Sequence, residues 1–170
     1  TVEDTPSPEA TPAPTSSPTR DLTLRWDTIG RSVEGRDLSL GAMGEPAERA
    51  LVLVGSIQGD QPGTRDLVLG LADHFETYPG DVPPRTAIYF LPSLNPDGNA
   101  SNSRYNARGV DLNRNWDTAD WRSNAAVPGY EQGNPGAGGD SPFSEPESSA
   151  AANFLYALST RTDQVFVALY

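Results

Sequence analysis

The stretch Leu51–Gly63, LVLVGSIQGDQPG, decides the fold. It is an apolar run followed at once by a polar turn, and the turn opens a helix. A run such as Ala50–Ile57, with no polar alternation, is the pattern of a strand buried on both faces, which implies a parallel sheet. In open α/β sheets, ligands gather outside the carboxyl ends of such strands. Gln58, Gly59, Asp60 and Gln61 stand at that end, so any chemistry of this chain is expected to start there.

Downstream of that turn, Pro62 takes a first-turn helix position, where its missing N–H costs nothing. Leu67, Val68, Leu71, Ala72 and Phe75 follow at helical spacing, and Tyr78-Pro79-Gly80 closes the helix. Thr86–Leu91 (TAIYFL) reads as a second buried strand with a sharp turn, Pro92–Gly98, after it. Asn99–Trp121 is polar with few helix or strand signals, and Arg122–Phe143 is rich in glycine. Long irregular segments of this kind in compact domains are usually functional or mobile. Ser144-Glu145-Pro146-Glu147 fits a capping box for a helix bearing Ala150, Phe154, Leu155 and Leu158 on one face. Val165–Tyr170 (VFVALY) reads as a third buried-type strand. Upstream, Asp21–Ile29 and Asp37–Met43 read as strands joined by a polar turn. This alternation is α/β, and right-handed crossovers set helices across the faces of neighbouring parallel strands.

The first twenty residues differ in kind. Thr1–Arg20 holds five Pro, five Thr and three Ser, with Val2 as its one large aliphatic. Such a segment cannot bury enough apolar surface to offset its ordering entropy and reads as a disordered, Pro-stiffened linker. Residues 21–170 form the expected domain. Tethers of this composition often separate a secreted domain from a signal or an anchor, so a secreted or cell-surface location is expected.

The formal charge of −11 argues against nucleic acid, whose binding depends on Lys and Arg neutralising phosphates. With no cysteine, thiolate metal sites and disulfides are excluded. No apolar run approaches the roughly 20 residues of a membrane span.

Four segments resemble the zinc carboxypeptidases, the M14 or funnelin family of metallopeptidases. They are IGRSVEGRDL (Ile29–Leu38), LVLVGSIQGDQPGT (Leu51–Thr64), LNPDGNASNSRYNARGVDLNRNW (Leu94–Trp116) and FSEPES (Phe143–Ser148). The resemblance implies a three-layer α/β/α fold with a mixed, largely parallel sheet, of which this chain matches the amino-terminal portion. It also implies peptide cleavage at the C-terminus, with zinc as cofactor.

The family's zinc turn reads His-x-x-Glu. Here Gln58 stands at the first ligand position and Gln61 at the second. The third ligand would follow the strand resembling VFVALY, after Tyr170, and the family's general base and capping tyrosine would lie farther on. Zinc sites are built from imidazole, thiolate and carboxylate donors, for which a neutral amide oxygen is a poor substitute. No bound metal is therefore expected, and the chain reads as inactive in hydrolysis. His74, beside the apolar stripe of its helix, reads as a packed or surface histidine. Asp60 reads as a charge at the helix N-terminus.

The anion-binding half resembles the family more closely. Arg104 matches the arginine that polarises the substrate carbonyl, and Asn113 and Arg114 match the pair that binds the terminal carboxylate. A guanidinium can grip a carboxylate through two parallel hydrogen bonds. The alternative is that these arginines bridge to Asp111, Asp117 or nearby carbonyls. Trp26, Trp116 and Trp121 read as packing residues; Tyr105 and Tyr130 are candidates to line a cleft.

In the family's sheet the strand matching VFVALY has further strands beyond it. Left as an edge, it would be a template for pairing. Three outcomes follow, self-association into dimers or filaments, completion by a separate polypeptide, or a poorly folded fragment, and a free monomer is not expected. Three functions remain open on the sequence: a carboxypeptidase-type enzyme, a binding module for peptide C-termini, and a structural subunit.

Overall fold

The computed structural model describes residues 20–45, 48–125 and 135–170. The linker short of Arg20, and Tyr130, lie outside the described residues. Five strands and three helices follow in the order β1 (Arg25–Arg31), β2 (Asp37–Met43), β3 (Arg49–Val54), α1 (Pro62–Thr77), β4 (Thr86–Leu91), α2 (Pro96–Ser101), α3 (Pro146–Ser159) and β5 (Gln164–Leu169).

The strands form one mixed sheet in the order β1-β2-β4-β3-β5. β3 runs parallel to β4 and to β5, while β2 is antiparallel to β1 and β4. All six residues of β4 are buried, as expected of a strand covered on both faces. Its alternation divides the core. Ile88 and Phe90 join Val68 and Ala72 of α1 on one face. Ala87, Tyr89 and Leu91 join Ala151 and Leu158 of α3 on the other. Helix, sheet and helix make three layers, as the resemblance implied.

Local chemistry moves several boundaries. β3 stops at Val54 rather than Ile57, because the backbones of Pro92 and Thr64 crowd Gly55 so closely that no side chain fits there. Ser56 then takes a left-handed conformation. β1 starts at Arg25 rather than Asp21. The Asp21 carboxylate accepts from the Thr23 N–H at 3.0 Å and pairs with Arg25, which turns that segment away from the ladder. A short helix, α2, replaces the second half of the expected turn at Pro92–Gly98. Asn95 caps it by accepting from the Gly98 N–H at 2.9 Å, and Pro96 supplies the first turn.

The expected capping box at α3 does not form. Glu145 is the N-cap residue and its side chain makes no cap bond. The Ser144 hydroxyl donates to Glu145 instead, and Glu147 turns into the protein interior. At the other end of the described chain, Arg20 donates to the carbonyls of Val82 and Pro83, which fixes it to the domain.

Candidate functional site

The turn after β3 is held from below. The Thr64 hydroxyl accepts from the Ser56 N–H at 2.9 Å and donates to the Gln61 carbonyl at 2.8 Å. Gly59 lies against the backbone of Gly98 and Asn99 with no room for a Cβ, and the Asn99 amide donates to the Gly59 carbonyl at 2.9 Å. Turn and α2 are thus one rigid unit. On it, the Gln61 side-chain amide donates to the Gln58 side-chain oxygen at 2.7 Å. The two glutamines read from the sequence as standing at the family's ligand positions are thus bonded to each other. Asp60 is exposed and precedes Gln61, the N-cap residue of α1.

This donor set does not fit zinc. Two neutral amides supply neither charge nor a strong lone pair. Among the described residues, no three His, Cys, Asp or Glu side chains come together as a metal site. His74 lies at the far end of α1, half-exposed, 2.9 Å from Asp81, with its ring beside Phe75 and Tyr78.

The arginines have separated roles. Arg104 places Nε and Nη2 each 2.9 Å from one oxygen of Asp111, whose side chain is fully buried. The other Asp111 oxygen accepts from the Asn113 N–H at 3.0 Å and so starts the 3-10 turn Leu112–Arg114. Arg104 and Asp111 together therefore set where Asn113 and Arg114 stand. Asp117 takes no part in this pair.

Arg114 and Asn113 line a cavity of about 690 Å³. Its walls are Val52, Val54 and Leu91 from the sheet and Phe154 from α3, closed by Trp116 and Trp121. The Arg114 Nε is buried and, among the described residues, has no hydrogen-bond partner. An unpaired donor of this kind is costly and marks a place where an acceptor fits. Asp120 also borders the cavity. Its carboxyl is held below the usual range first by the Thr118 hydroxyl, and more weakly by the fields of Arg122 and Arg114.

The tryptophans behave as packing residues in part. Trp116 meets Phe143 edge to face at 5.5 Å. Trp26 is half-exposed and lays its ring over Gly41. Trp121 anchors its indole N–H on the Gly138 carbonyl at 3.1 Å while it lines the cavity. Tyr105 does not line the cavity, and its hydroxyl is buried without a partner among the described residues.

Behind the site lies a polar network that the sequence reading did not single out. Asp97 accepts from the Ser32 hydroxyl at 2.6 Å, the Glu34 N–H at 3.0 Å and Arg36 at 2.6 Å. Burial pushes its carboxyl up, and these donors outweigh burial and hold it below the usual range. Glu147, fully buried, accepts from the Val33 N–H at 3.1 Å and shares the Asn106 amide with Glu145. Burial raises its carboxyl above the usual range against those weaker donors. The available signal was the acid or amide in NPDG, YNARG and SEPES, with GRSVEG joining through the Ser32 hydroxyl and the Val33 and Glu34 N–H groups. All four converge here.

The family model for zinc carboxypeptidases, Peptidase_M14, matches residues 20–170. The chain belongs to the zinc carboxypeptidase family. It is 35% identical to carboxypeptidase SOL1 of Arabidopsis thaliana over 103 residues, which is 54% of this chain and 21% of that protein. With the human carboxypeptidase N catalytic chain it shares 35% identity over 114 residues, 52% of this chain and 25% of that one. The solved structure of bovine thrombin-activatable fibrinolysis inhibitor superposes with a TM-score of 0.68 at 20% identity. The match covers 85% of this chain and 53% of that one, and is a likeness of fold. The matched stretch therefore spans a quarter or less of these two curated relatives.

Proposed function

We propose that this carboxypeptidase domain recognises peptide C-terminal carboxylates without cleaving them. The observation that carries this reading is the contrast within one site. Gln58 and Gln61 are two neutral amides bonded to each other, while Arg114 borders an apolar cavity with a buried Nε that has no partner among the described residues. A terminal carboxylate accepts from the Arg114 guanidinium and the Asn113 amide, and the apolar side chain of the last residue enters the cavity. A carboxylate bonded to arginine is stabilised more strongly than a neutral acceptor, which favours a free C-terminus over an amide. Arg104, already engaged by Asp111, serves as the support of the Asn113–Arg114 turn.

The Thr/Ser/Pro-rich segment Thr1–Arg20 is the proposed tether, placing domain 21–170 at the cell surface or in the secreted space. Among the described residues no helix is long and apolar enough to cross a membrane.

The test is calorimetric titration with a short acylated peptide ending in phenylalanine, as free acid and as amide. The free acid is expected to bind and Arg114→Ala to weaken it ten- to a hundredfold, in line with a charged hydrogen bond of about 1.5–3 kcal/mol. The amide is expected not to bind. Zinc-dependent release of the terminal phenylalanine, abolished by a chelator, would overturn the proposal.

A further inference from the structure

Two carboxylates meet on one nitrogen behind the site. The Asn106 side-chain amide donates to Glu145 Oε2 at 2.7 Å and to Glu147 Oε2 at 3.3 Å. The two oxygens therefore lie no farther apart than those distances added. Both residues are buried, Glu147 completely. Like charges this close in a low-dielectric interior do not both ionise readily, and such a pair titrates as a unit.

The charges around the pair decide which acid keeps a proton. Glu145 has the Arg108 guanidinium 3.6 Å from Oε2 and the Ser144 hydroxyl on Oε1 at 2.9 Å. Among the described residues Arg36, in the β1–β2 turn, pairs with Asp97 and Glu34, Arg108 pairs with Glu145, and no cation pairs with Glu147. Burial raises the Glu147 carboxyl most, and the field of Asp97 from α2 adds to it, against the weaker bonds from Val33 and Asn106.

These bonds reach the Asn113–Arg114 turn from both ends. Asn106 closes the loop before it, its side-chain oxygen accepting from the N–H groups of Arg108 and Val110, each at 3.0 Å. The next residue, Asp111, holds Arg104 and the Asn113 N–H. After the turn, the Asn115 side-chain oxygen accepts from the Glu145 N–H at 3.1 Å. Asn113 and Arg114 stand between these two ties.

We propose that Glu145 and Glu147 hold one proton between them, and that its loss to water drives the pair apart and shifts the Asn113–Arg114 turn through Asn106 and Asn115. With the proton in place, one amide serves one charged and one neutral acid, and the turn is held at both ends. Without it, two buried charges compete for that amide. The site is then proton-dependent and strongest on the acid side. As a statement about peptide affinity this rests on the carboxylate-binding reading; as a statement about the turn it stands apart from it.

Nitrogen-15-resolved NMR of the parent chain from about pH 4 to 9 tests this. The expected result is one shared midpoint, above the ordinary 4.5 of glutamate, in the Val33 N–H, the Asn106 side-chain amide and the Asn113 N–H. Glu147→Gln keeps the shape of the neutral acid and every other titratable group, His74 included, and should remove that midpoint from all three. Calorimetric titration of the free-acid phenylalanine peptide at about pH 5 and 8 reads the consequence. The parent should bind at least about fivefold more weakly at the higher pH, the lower end of coupling between sites, and Glu147→Gln equally at both. Reporters that stay flat, a Val33 midpoint that Asn113 does not share, or the same pH dependence of affinity in both proteins would overturn the inference. Peptide that binds neither protein at any pH would overturn the carboxylate reading instead, and the Asn113 midpoint would still decide whether the proton moves the turn.

Discussion

Gln61 donates its side-chain amide to the side-chain oxygen of Gln58 across 2.7 Å, in the turn that leads from β3 into α1. The pair is neutral, each amide already engaged by the other. The turn beneath it is tightly held, with no room for a Cβ at Gly59 and the Thr64 hydroxyl bridging Ser56 and Gln61. An amide–amide bond near the surface contributes little. Gln58→Ala should cost less than about 1 kcal/mol in urea unfolding. A larger loss would mean that the turn itself depends on the pair.

Gly59 is the more sensitive position in this turn. Its Cβ would fall on the backbone of Gly98 and Asn99, which has no flexible side chain to yield. Gly59→Ala should destabilise by about 3 kcal/mol, at the upper end of overpacking effects. Differential scanning calorimetry should show a drop in Tm far beyond that of Gly63→Ala, where a Cβ meets open space.

Arg104→Ala separates the two roles considered for this arginine. The change strands the fully buried Asp111 carboxylate without its cation. Breaking such a pair costs about 3–5 kcal/mol, and the 18% exposure of the arginine side chain places this case at the low end. Unchanged stability in chemical denaturation would show that Arg104 is free for substrate and that the Asp111 contact is incidental.

The buried carboxylates respond to pH in opposite directions. Glu147 is raised from its ordinary 4.5, so its contribution is complete below the unfolded glutamate range and is lost as pH rises through the raised folded value. Asp97 is lowered from 3.8, so its contribution is present above the unfolded aspartate range and is lost as pH falls through the lowered folded value. Glu147→Gln should therefore gain stability relative to the parent as pH rises from about 4 to 7. Asp97→Asn should lose the parent's extra acid-side loss and show a flatter profile below pH 4. Parallel pH profiles for parent and Glu147→Gln would contradict this assignment.

Much of the fold was legible because local chemistry and global packing agree. The unbroken apolar runs at Leu51–Val54 and Thr86–Leu91 became adjacent parallel strands, and Pro62 opened α1 as its position requires. The Ser144–Glu147 motif misled because its acid is claimed from afar. Glu147 meets Val33, 114 positions away, and Asn106, 41 away, and no local pattern encodes such partners. The same holds for Asn115, whose side-chain amide serves Gly138 and Ser141 across the glycine-rich loop. At the site, the sequence named Gln58, Gln61, Asn113 and Arg114. It left open whether Arg104 was free, since only the fold brings Nε and Nη2 onto Asp111.

Native mass spectrometry of the chain with equimolar zinc and an acylated peptide ending in free phenylalanine tests the central claim most directly, since it reports metal, ligand and product together. The account predicts a metal-free chain carrying the intact peptide, with that adduct absent from Arg114→Ala. A zinc-bound chain with the peptide shortened by one residue would contradict it.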